Sequence, residues 1–416
     1  LRAIRGHAVL VQINRRQFLE EGFIVLRNVI PPGHLDRVRA AYENLVGRQR
    51  AIWARERKAD APPGGVWEAS AQPRLALQNM VADIDRDTAM AIEIWLQENI
   101  HGASSRLLGL EDAAVTEMMM MCNPIRDHGP ARWHRDFSPA YCAPLQGYVD
   151  DILENGPRYV QWNIPLYDDD VLWVVPGSHL RSTSDEEDRQ MSENDRLPLA
   201  SGIQTHLNAG DGVAYILPIL HWGSNYSTRK RRTIHGGFSD FTYYPDLGYL
   251  PRLSPLAQEA FSRWDARSQE KQNGTVAVLR AAVQKDGVAY RNALDALHPG
   301  RGNKGQLQST FFLSKAAHRI HNLKRPDFAE LSELEQSQAA SMHPMTLQWG
   351  RSIADRFSPT EAAELWARFK PMDDALQAPK LQSSPGFQGQ QSRYYSNQLP
   401  TALNLEDFIA GWAQNK

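Results

Sequence analysis

Tyr159-Val160-Gln161-Trp162-Asn163-Ile164-Pro165-Leu166 is a short run rich in β-branched and aromatic residues, closed by the acidic turn Tyr167-Asp168-Asp169-Asp170. Its length and composition predict a strand. Three similar runs follow: Val171 to Val175, Gly212 to Leu217 and Thr233 to Phe238. Turn signals such as Pro176-Gly177-Ser178 and Ala209-Gly210-Asp211-Gly212 separate them. Many short strands punctuated by turns predict a sandwich or barrel of jelly-roll type, whose mouth can hold a small ligand and a metal. Side chains alternate along a strand, so Tyr159, Gln161 and Asn163 share one face. Inward polar residues there either line a pocket or serve the barrel's structure.

Upstream, Phe18 to Ile30 reads as a helix end stopped at Gly22 and a β-rich run from Phe23. Leu35, Val38, Ala41, Tyr42 and Leu45 then recur at helical spacing, and Thr88 to Asn99 is a further helix candidate. Met118 to Met121 reads as buried core. Downstream of about Leu250 the pattern becomes helical. Ser254-Pro255 resembles an N-cap followed by a first-turn proline, and Ser358-Pro359-Thr360-Glu361 is a capping box. Helices are expected over 275–284, 288–297, 311–320 and 362–369, and a mobile Gln/Ser/Gly-rich loop over 381–392. The expected organisation is a mainly β core with N-terminal helices over 1–250 and a helical extension over 251–416.

Composition narrows the class. The 416 residues can bury a large core, with 42% hydrophobic and 9% aromatic residues including 11 Trp. A net charge of −2 gives no reason to expect nucleic acid or an anionic membrane as a partner. No run approaches the ~20 apolar residues of a membrane span. The patch Ala8-Val9-Leu10-Val11 breaks into Gln12 and Arg15-Arg16, unlike a signal peptide. Two cysteines, Cys122 and Cys142, are too few for a disulfide framework or a zinc-thiolate site, and a reducing, cytoplasmic setting is expected.

The chemistry begins at Trp133-His134-Arg135-Asp136-Phe137. On an extended segment His134 and Asp136 project to one side and offer two metal ligands. A third, His221, lies in Leu220-His221-Trp222-Gly223-Ser224-Asn225. Two histidines and one carboxylate suit oxygen-activating non-haem Fe(II), because they leave positions open opposite the protein ligands. A lone His-x-Asp also arises by chance, and His128, His179, His206 and His235 compete for ligand roles, with structural or surface duties expected of His128 and His179. Asp168-Asp169-Asp170 reads as a solvated loop rather than a second metal site. Pro299-Gly300-Arg301-Gly302-Asn303-Lys304-Gly305 lacks the Lys-Ser/Thr ending of a phosphate loop and reads as a plain connection.

In combination, the stretch from about Phe18 to Phe238 resembles the phytanoyl-CoA dioxygenase family of Fe(II)/2-oxoglutarate oxygenases. The pieces that carry the likeness are the opening Phe18-to-Val29 helix and strand, Trp133-His134-Arg135-Asp136, Leu172-Trp173-Val174-Val175-Pro176-Gly177-Ser178-His179, and Gly210-Asp211 followed by His221, Asn225 and Ser227. The resemblance implies a double-stranded β-helix with His134, Asp136 and His221 as iron ligands and 2-oxoglutarate and dioxygen as co-substrates. It also implies an Arg for the far carboxylate of 2-oxoglutarate, a residue type whose planar fork fits a carboxylate. Counting from Asn225 gives Arg231; counting from His221 at the family's usual spacing gives Arg232. The short His221-to-Asn225 interval favours Arg231, and Gln161 or Asn163 is expected to line the same pocket. In related halogenases a small residue replaces the carboxylate, so Asp136 implies hydroxylation of a small molecule, with desaturation, epimerisation and ring closure as alternatives. A non-oxidative cupin-like metal protein is the competing class. The helical extension lies outside the resemblance and is expected to act as a lid or as a contact with a second copy.

Overall fold

The computed structural model describes residues 10–56, 73–77, 80–136, 145–242, 246–339, 347–376, 399 and 403–414. The start of the apolar patch at Ala8-Val9, together with Phe137, Cys142 and the loop expected over 381–392, lies outside them. The chain forms two compact units, one of residues 1–135, 157–179 and 184–266 and one of residues 136–156, 180–183 and 267–416.

The first unit opens with α1 (Arg15–Glu21), which Asn14 caps by accepting the Gln17 N–H. Gly22 ends the helix at φ +83°, a left-handed conformation suited to glycine. The space its missing Cβ would fill is taken by the His179 imidazole, 2.3 Å away. Strand β1 (Phe23–Leu26) follows, then α2 (Pro32–Glu56), as the apolar spacing predicted. After β2 (Arg74–Ala76), the helix expected over 88–99 is cut short: only α3 (Met90–Glu93) is α-helical and Ile94–Leu96 tightens to 3₁₀. The residues between 88 and 100 are largely buried, so they pack as a compact corner instead of presenting one amphipathic stripe. Helix α4 (His101–Leu108) leads into β3 (Ala114–Cys122), which places Met118, Met119 and Met120 in the core. The remaining elements are α5 (Leu145–Asn155), β4 (Val160–Pro165), β5 (Trp173–Val174), α6 (Asp185–Asn194), β6 (Ile203–Gln204), β7 (Gly212–Ile216), β8 (His221–Trp222) and β9 (Arg232–Ser239).

Two antiparallel sheets result. One has six strands in the order β1-β7-β4-β9-β3-β2, the other three in the order β6-β5-β8. Consecutive strands are seldom neighbours in the larger sheet, so its assembly depends on long-range pairing rather than hairpins. Phe23, Val213 and Tyr215 from the large sheet pack with Val174 of the small one and with Leu172, Leu207 and Ile219, which joins the sheets. The opposite face of the large sheet is covered by helices: the Trp162 indole donates to Ser104 Oγ at 2.9 Å, and Phe238 lies against Trp95 at 5.7 Å. At Gly236, φ +152° and a carbonyl from Glu117 that would meet any Cβ at 2.1 Å leave room for glycine alone, beside an irregularity in the β3–β9 pairing.

The second unit is helical among its described residues. Helix α7 (Pro255–Val283) starts in the first unit and continues into the second, where α8 (Gly287–Leu297), α9 (Asn303–Leu323), α10 (Glu333–Ala339), α11 (Leu347–Ala354), α12 (Pro359–Leu376) and α13 (Leu405–Gln414) follow. Leu279, Tyr290, Leu294, Ala317, Leu365 and Phe369 contribute to its core. A fully buried Lys315–Asp373 ion pair joins α9 to α12. The Pro299-to-Gly305 connection carries no free anion cradle: the backbone N–H groups of Lys304 and Gly305 donate to Glu154, and that of Gly302 to Asn155. No helix of the described residues is long and apolar enough to cross a membrane.

Candidate metal centre and its surroundings

The Trp133–Asp136 segment is extended but belongs to no regular strand. A single antiparallel bridge pairs His134 with His221, through His134 N–H to His221 carbonyl at 3.0 Å and the reverse bond at 2.9 Å. That bridge sets the two imidazoles 4.4 Å apart between centroids. Burial alternates along the segment, with Trp133 and Arg135 buried and His134 and Asp136 half-exposed, as an extended chain requires. One donor atom from each of His134, Asp136 and His221 lies within 4.8 Å of the other two. Among the described residues this is the group of three or more His, Cys, Asp or Glu so placed.

The protons on the two imidazoles suit ligation. His134 Nδ1 lies 2.7 Å from the Arg132 carbonyl and His221 Nδ1 lies 3.0 Å from the Ile219 carbonyl. A carbonyl only accepts, so each ring carries a proton on Nδ1, and in the neutral ring that leaves the Nε2 lone pair for a metal. Backbone acceptors of this kind commonly hold a metal-binding histidine in one tautomer and orientation. Two neutral imidazoles and a carboxylate make a donor set suited to ferrous iron, and they could supply three protein ligands with the rest of the coordination sphere left to other groups.

Around His221 the inward face of the large sheet is polar. The Tyr215 ring stands 5.4 Å from the His221 ring, and the Tyr215 hydroxyl accepts from Gln161 Nε2 at 2.8 Å. His235 Nδ1 lies 2.6 Å from Asn163 Oδ1. Gln161 and Asn163 are both almost fully buried. Strand pairing sets Gln161 opposite Tyr215 and Asn163 opposite His235, which puts all four on one face. Along β9 that face includes Thr233, and the same alternation carried one residue before the strand puts Arg231 on it and Arg232 on the other side.

The two arginines accordingly have different surroundings. Arg231 Nε donates to Asp169 Oδ2 at 2.8 Å, an oxygen that also accepts from Thr233 Oγ1 at 2.8 Å. The terminal nitrogens of Arg231 have no hydrogen-bond partner among the described residues. Burial opposes ionisation of Asp169, but the Arg231 charge and the hydrogen bonds from Arg231, Val171 N–H and Thr233 outweigh it and hold the carboxyl below its ordinary range. Arg232 instead approaches Glu43 of α2 at 3.3 Å and donates to Asn123 at 3.0 Å. Arg229 and Lys230, the rest of the charge run, are exposed, as a solvated turn would be.

The other histidines fall outside this cluster, apart from His235. His206 is exposed. His179 is buried with Nε2 2.9 Å from the Leu19 carbonyl, and burial lowers its pKa to about 4, so it is neutral. The three adjacent acids are separately engaged, Asp168 by Ala209 N–H, Asp169 by Arg231 and Asp170 by Arg229. Tyr215, Thr233 and Asp169 have no site role in the sequence analysis, and His235 enters it only as a competing metal ligand. Two of them carried a readable signal, since Arg231-x-Thr233-x-His235 alternates onto a single strand face.

A model of the phytanoyl-CoA dioxygenase family, PhyH, matches residues 18–234, just over half of the chain. None of the curated proteins matches. Among solved structures, AviO1 from Streptomyces viridochromogenes Tue57 is 20% identical over 54% of this chain and 93% of its own, with a TM-score of 0.38. The non-haem α-ketoglutarate-dependent carbocyclase SnoK from nogalamycin biosynthesis is 21% identical over 58% and 90%, with a TM-score of 0.36. EctD from S. alaskensis with 2-oxoglutarate and 5-hydroxyectoine is 16% identical over 59% and 81%, with a TM-score of 0.38. At such identities and scores the assignment rests on the family match.

Proposed function

Since the chain belongs to the phytanoyl-CoA dioxygenase family, whose members use ferrous iron and 2-oxoglutarate, we propose that it hydroxylates an unactivated C–H bond of a small-molecule substrate. The observation that carries this reading is the convergence of His134, Asp136 and His221 donor atoms within 4.8 Å. On this reading the two sheets form the family's double-stranded β-helix, with the triad at its mouth.

In the proposed site His134 and His221 bind through Nε2 while their Nδ1 protons stay on the Arg132 and Ile219 carbonyls. Asp136 supplies the anionic ligand and takes the position that a halide would need. Bound iron supplies oxidation of the substrate by dioxygen, coupled to oxidative decarboxylation of 2-oxoglutarate. Arg231 receives the far carboxylate of 2-oxoglutarate through its terminal nitrogens, and Thr233 stands beside it on the same strand face. Asp169 orients the guanidinium by holding Nε and leaves it well short of full use. Gln161 and Asn163, steadied by Tyr215 and His235, line the pocket and fix the co-substrate's orientation by hydrogen bonding.

Desaturation, epimerisation or ring closure would use the same residues and differ only in how the substrate lies. The helical extension over 251–416 has no role in the triad chemistry as proposed and is the proposed lid or self-association surface, and the cytoplasm is the proposed compartment. Substrate-independent turnover tests the reading against a non-oxidative metal protein: protein, Fe(II), 2-oxoglutarate and air should yield succinate at a rate abolished in Asp136→Ala. Iron-independent or absent succinate formation would remove the oxygenase reading.

A further inference from the structure

Arg135 sits in the middle of His134-Arg135-Asp136, and none of the roles above uses it. It has no exposed surface, although both neighbours are half-exposed. Its Nη1 donates to the Ser178 carbonyl at 2.6 Å and to the Pro218 carbonyl. Ser178 closes the Pro176-Gly177-Ser178 turn, and its hydroxyl accepts the Leu220 N–H at 2.8 Å. The Leu220 carbonyl in turn accepts the Val175 N–H at 2.9 Å. Pro218 stands three residues ahead of His221 in the same run. One guanidinium therefore joins the segment that carries His134 and Asp136, the turn after β5, and the run that carries His221.

Burying a guanidinium is expensive, and an apolar side chain would fill the same space without that penalty. What arginine adds is direction: a planar group held by carbonyls from two separate segments fixes their spacing. Backbone pairing between the two ligand segments runs from the His134–His221 bridge back through Ala131 N–H to the Gly223 carbonyl and the Pro130–Ser224 bridge, and Arg135 adds a side-chain tie on the other side of His134, to the run just before His221. By the alternation of an extended chain Arg135 points to the face opposite the His134 and Asp136 side chains, and its contacts brace the paired segments from that face.

We propose that Arg135 is a positioning residue that holds His134 and His221 at ligand separation before iron arrives. This rests on the triad being the iron site. Loss of such an outer support typically weakens metal binding by roughly 10–100-fold. The support acts on iron affinity, which can be read without turnover. Once iron is saturating, the affinity for 2-oxoglutarate should be unchanged, because Arg135 touches no group assigned to the co-substrate.

The test is anaerobic Fe(II) titration against a chromophoric chelator for wild type, Arg135→Gln, Arg135→Lys and Leu45→Ala, the last a buried α2 residue serving as a destabilised control. The expected result is about 10–100-fold weaker binding for Arg135→Gln, an intermediate loss for Arg135→Lys, and a change within about twofold for Leu45→Ala despite a lower melting temperature. Binding of Arg135→Gln or Arg135→Lys within twofold of wild type, in protein folded by circular dichroism, overturns the proposal and leaves Arg135 a purely structural residue. If neither variant folds, hydrogen exchange in wild type decides. The Leu220 and His221 amides should already be protected in the iron-free protein, and exchange there at unprotected rates that only iron slows overturns the proposal. Failure of wild type to bind iron at all would be a different outcome, because it removes the site itself.

Discussion

Replacing Arg231 should change the affinity for 2-oxoglutarate far more than replacing Arg232, although the two are adjacent and carry the same charge. Arg231 donates Nε to Asp169 at 2.8 Å, and the terminal nitrogens, which have no hydrogen-bond partner among the described residues, are the ones the proposed function gives to the far carboxylate. Lysine at 231 would retain a positive charge but lose the two-pronged geometry, removing at least one charge-assisted hydrogen bond of about 1.5–3 kcal/mol. At about 1.4 kcal/mol per decade, that is roughly a 10- to 100-fold rise in Kd. Arg232→Lys acts on the other strand face, beside Glu43 and Asn123, and its Kd should stay within about threefold of wild type. The assay is anaerobic titration of 2-oxoglutarate into the Fe(II)-loaded protein, followed by calorimetry. Weakening in the Arg232 variant alone would refute both the strand-face argument and the assignment of Arg231.

Three further outcomes follow from the structure. His179 has a folded pKa of about 4 against an ordinary 6.5, so the folded state takes up fewer protons. The stability it confers is complete above pH 6.5 and is lost as pH falls toward 4, by about 3 kcal/mol at ~1.4 kcal/mol per unit. Urea midpoints between pH 7 and 4 should show that slope in wild type and a shallower one in His179→Gln, and equal slopes would count against it. Lys315→Met should destabilise the protein by about 3–5 kcal/mol because it removes the buried cation that faces Asp373 in the helical core, and a loss under about 1 kcal/mol would show that the pair is not mutually required. Thr233→Val, which removes a hydroxyl bound to Asp169, should raise the 2-oxoglutarate Kd less than Arg231→Lys does, and the reverse order would exchange their importance.

The strands were readable because their signals are local. Val160–Pro165, Trp173–Val174, Gly212–Ile216 and Arg232–Ser239 each fall within or nearly within a predicted β-rich run bounded by turn residues. Helix starts were equally local: the expected Ser358/Glu361 capping box is present, with Glu361 N–H donating to Ser358 Oγ. The 88–99 corner misled because its apolar residues are buried on several sides, and helical spacing cannot distinguish a helix from a compact corner. Order within the six-stranded sheet was not legible, since non-consecutive pairing leaves no short-range trace. At the site, the ligand set could be named from His134, Asp136 and His221, but Asp169 and Tyr215 enter through partners 62 and 54 residues away in sequence. Arg135 was hidden for the same reason: alternation turns its side chain away from the ligands, but its partners, the Ser178 and Pro218 carbonyls, lie 43 and 83 residues away in sequence.

The central claim is that His134, Asp136 and His221 hold iron with positions free for 2-oxoglutarate. It is tested most directly by the visible absorption of the anaerobic protein reconstituted with Fe(II) and 2-oxoglutarate. Wild type should develop the weak metal-to-ligand charge-transfer band of a chelated 2-oxoacid, and His134→Ala and His221→Ala should not. A wild type without the band, or a His134→Ala variant with an undiminished one, would contradict the account.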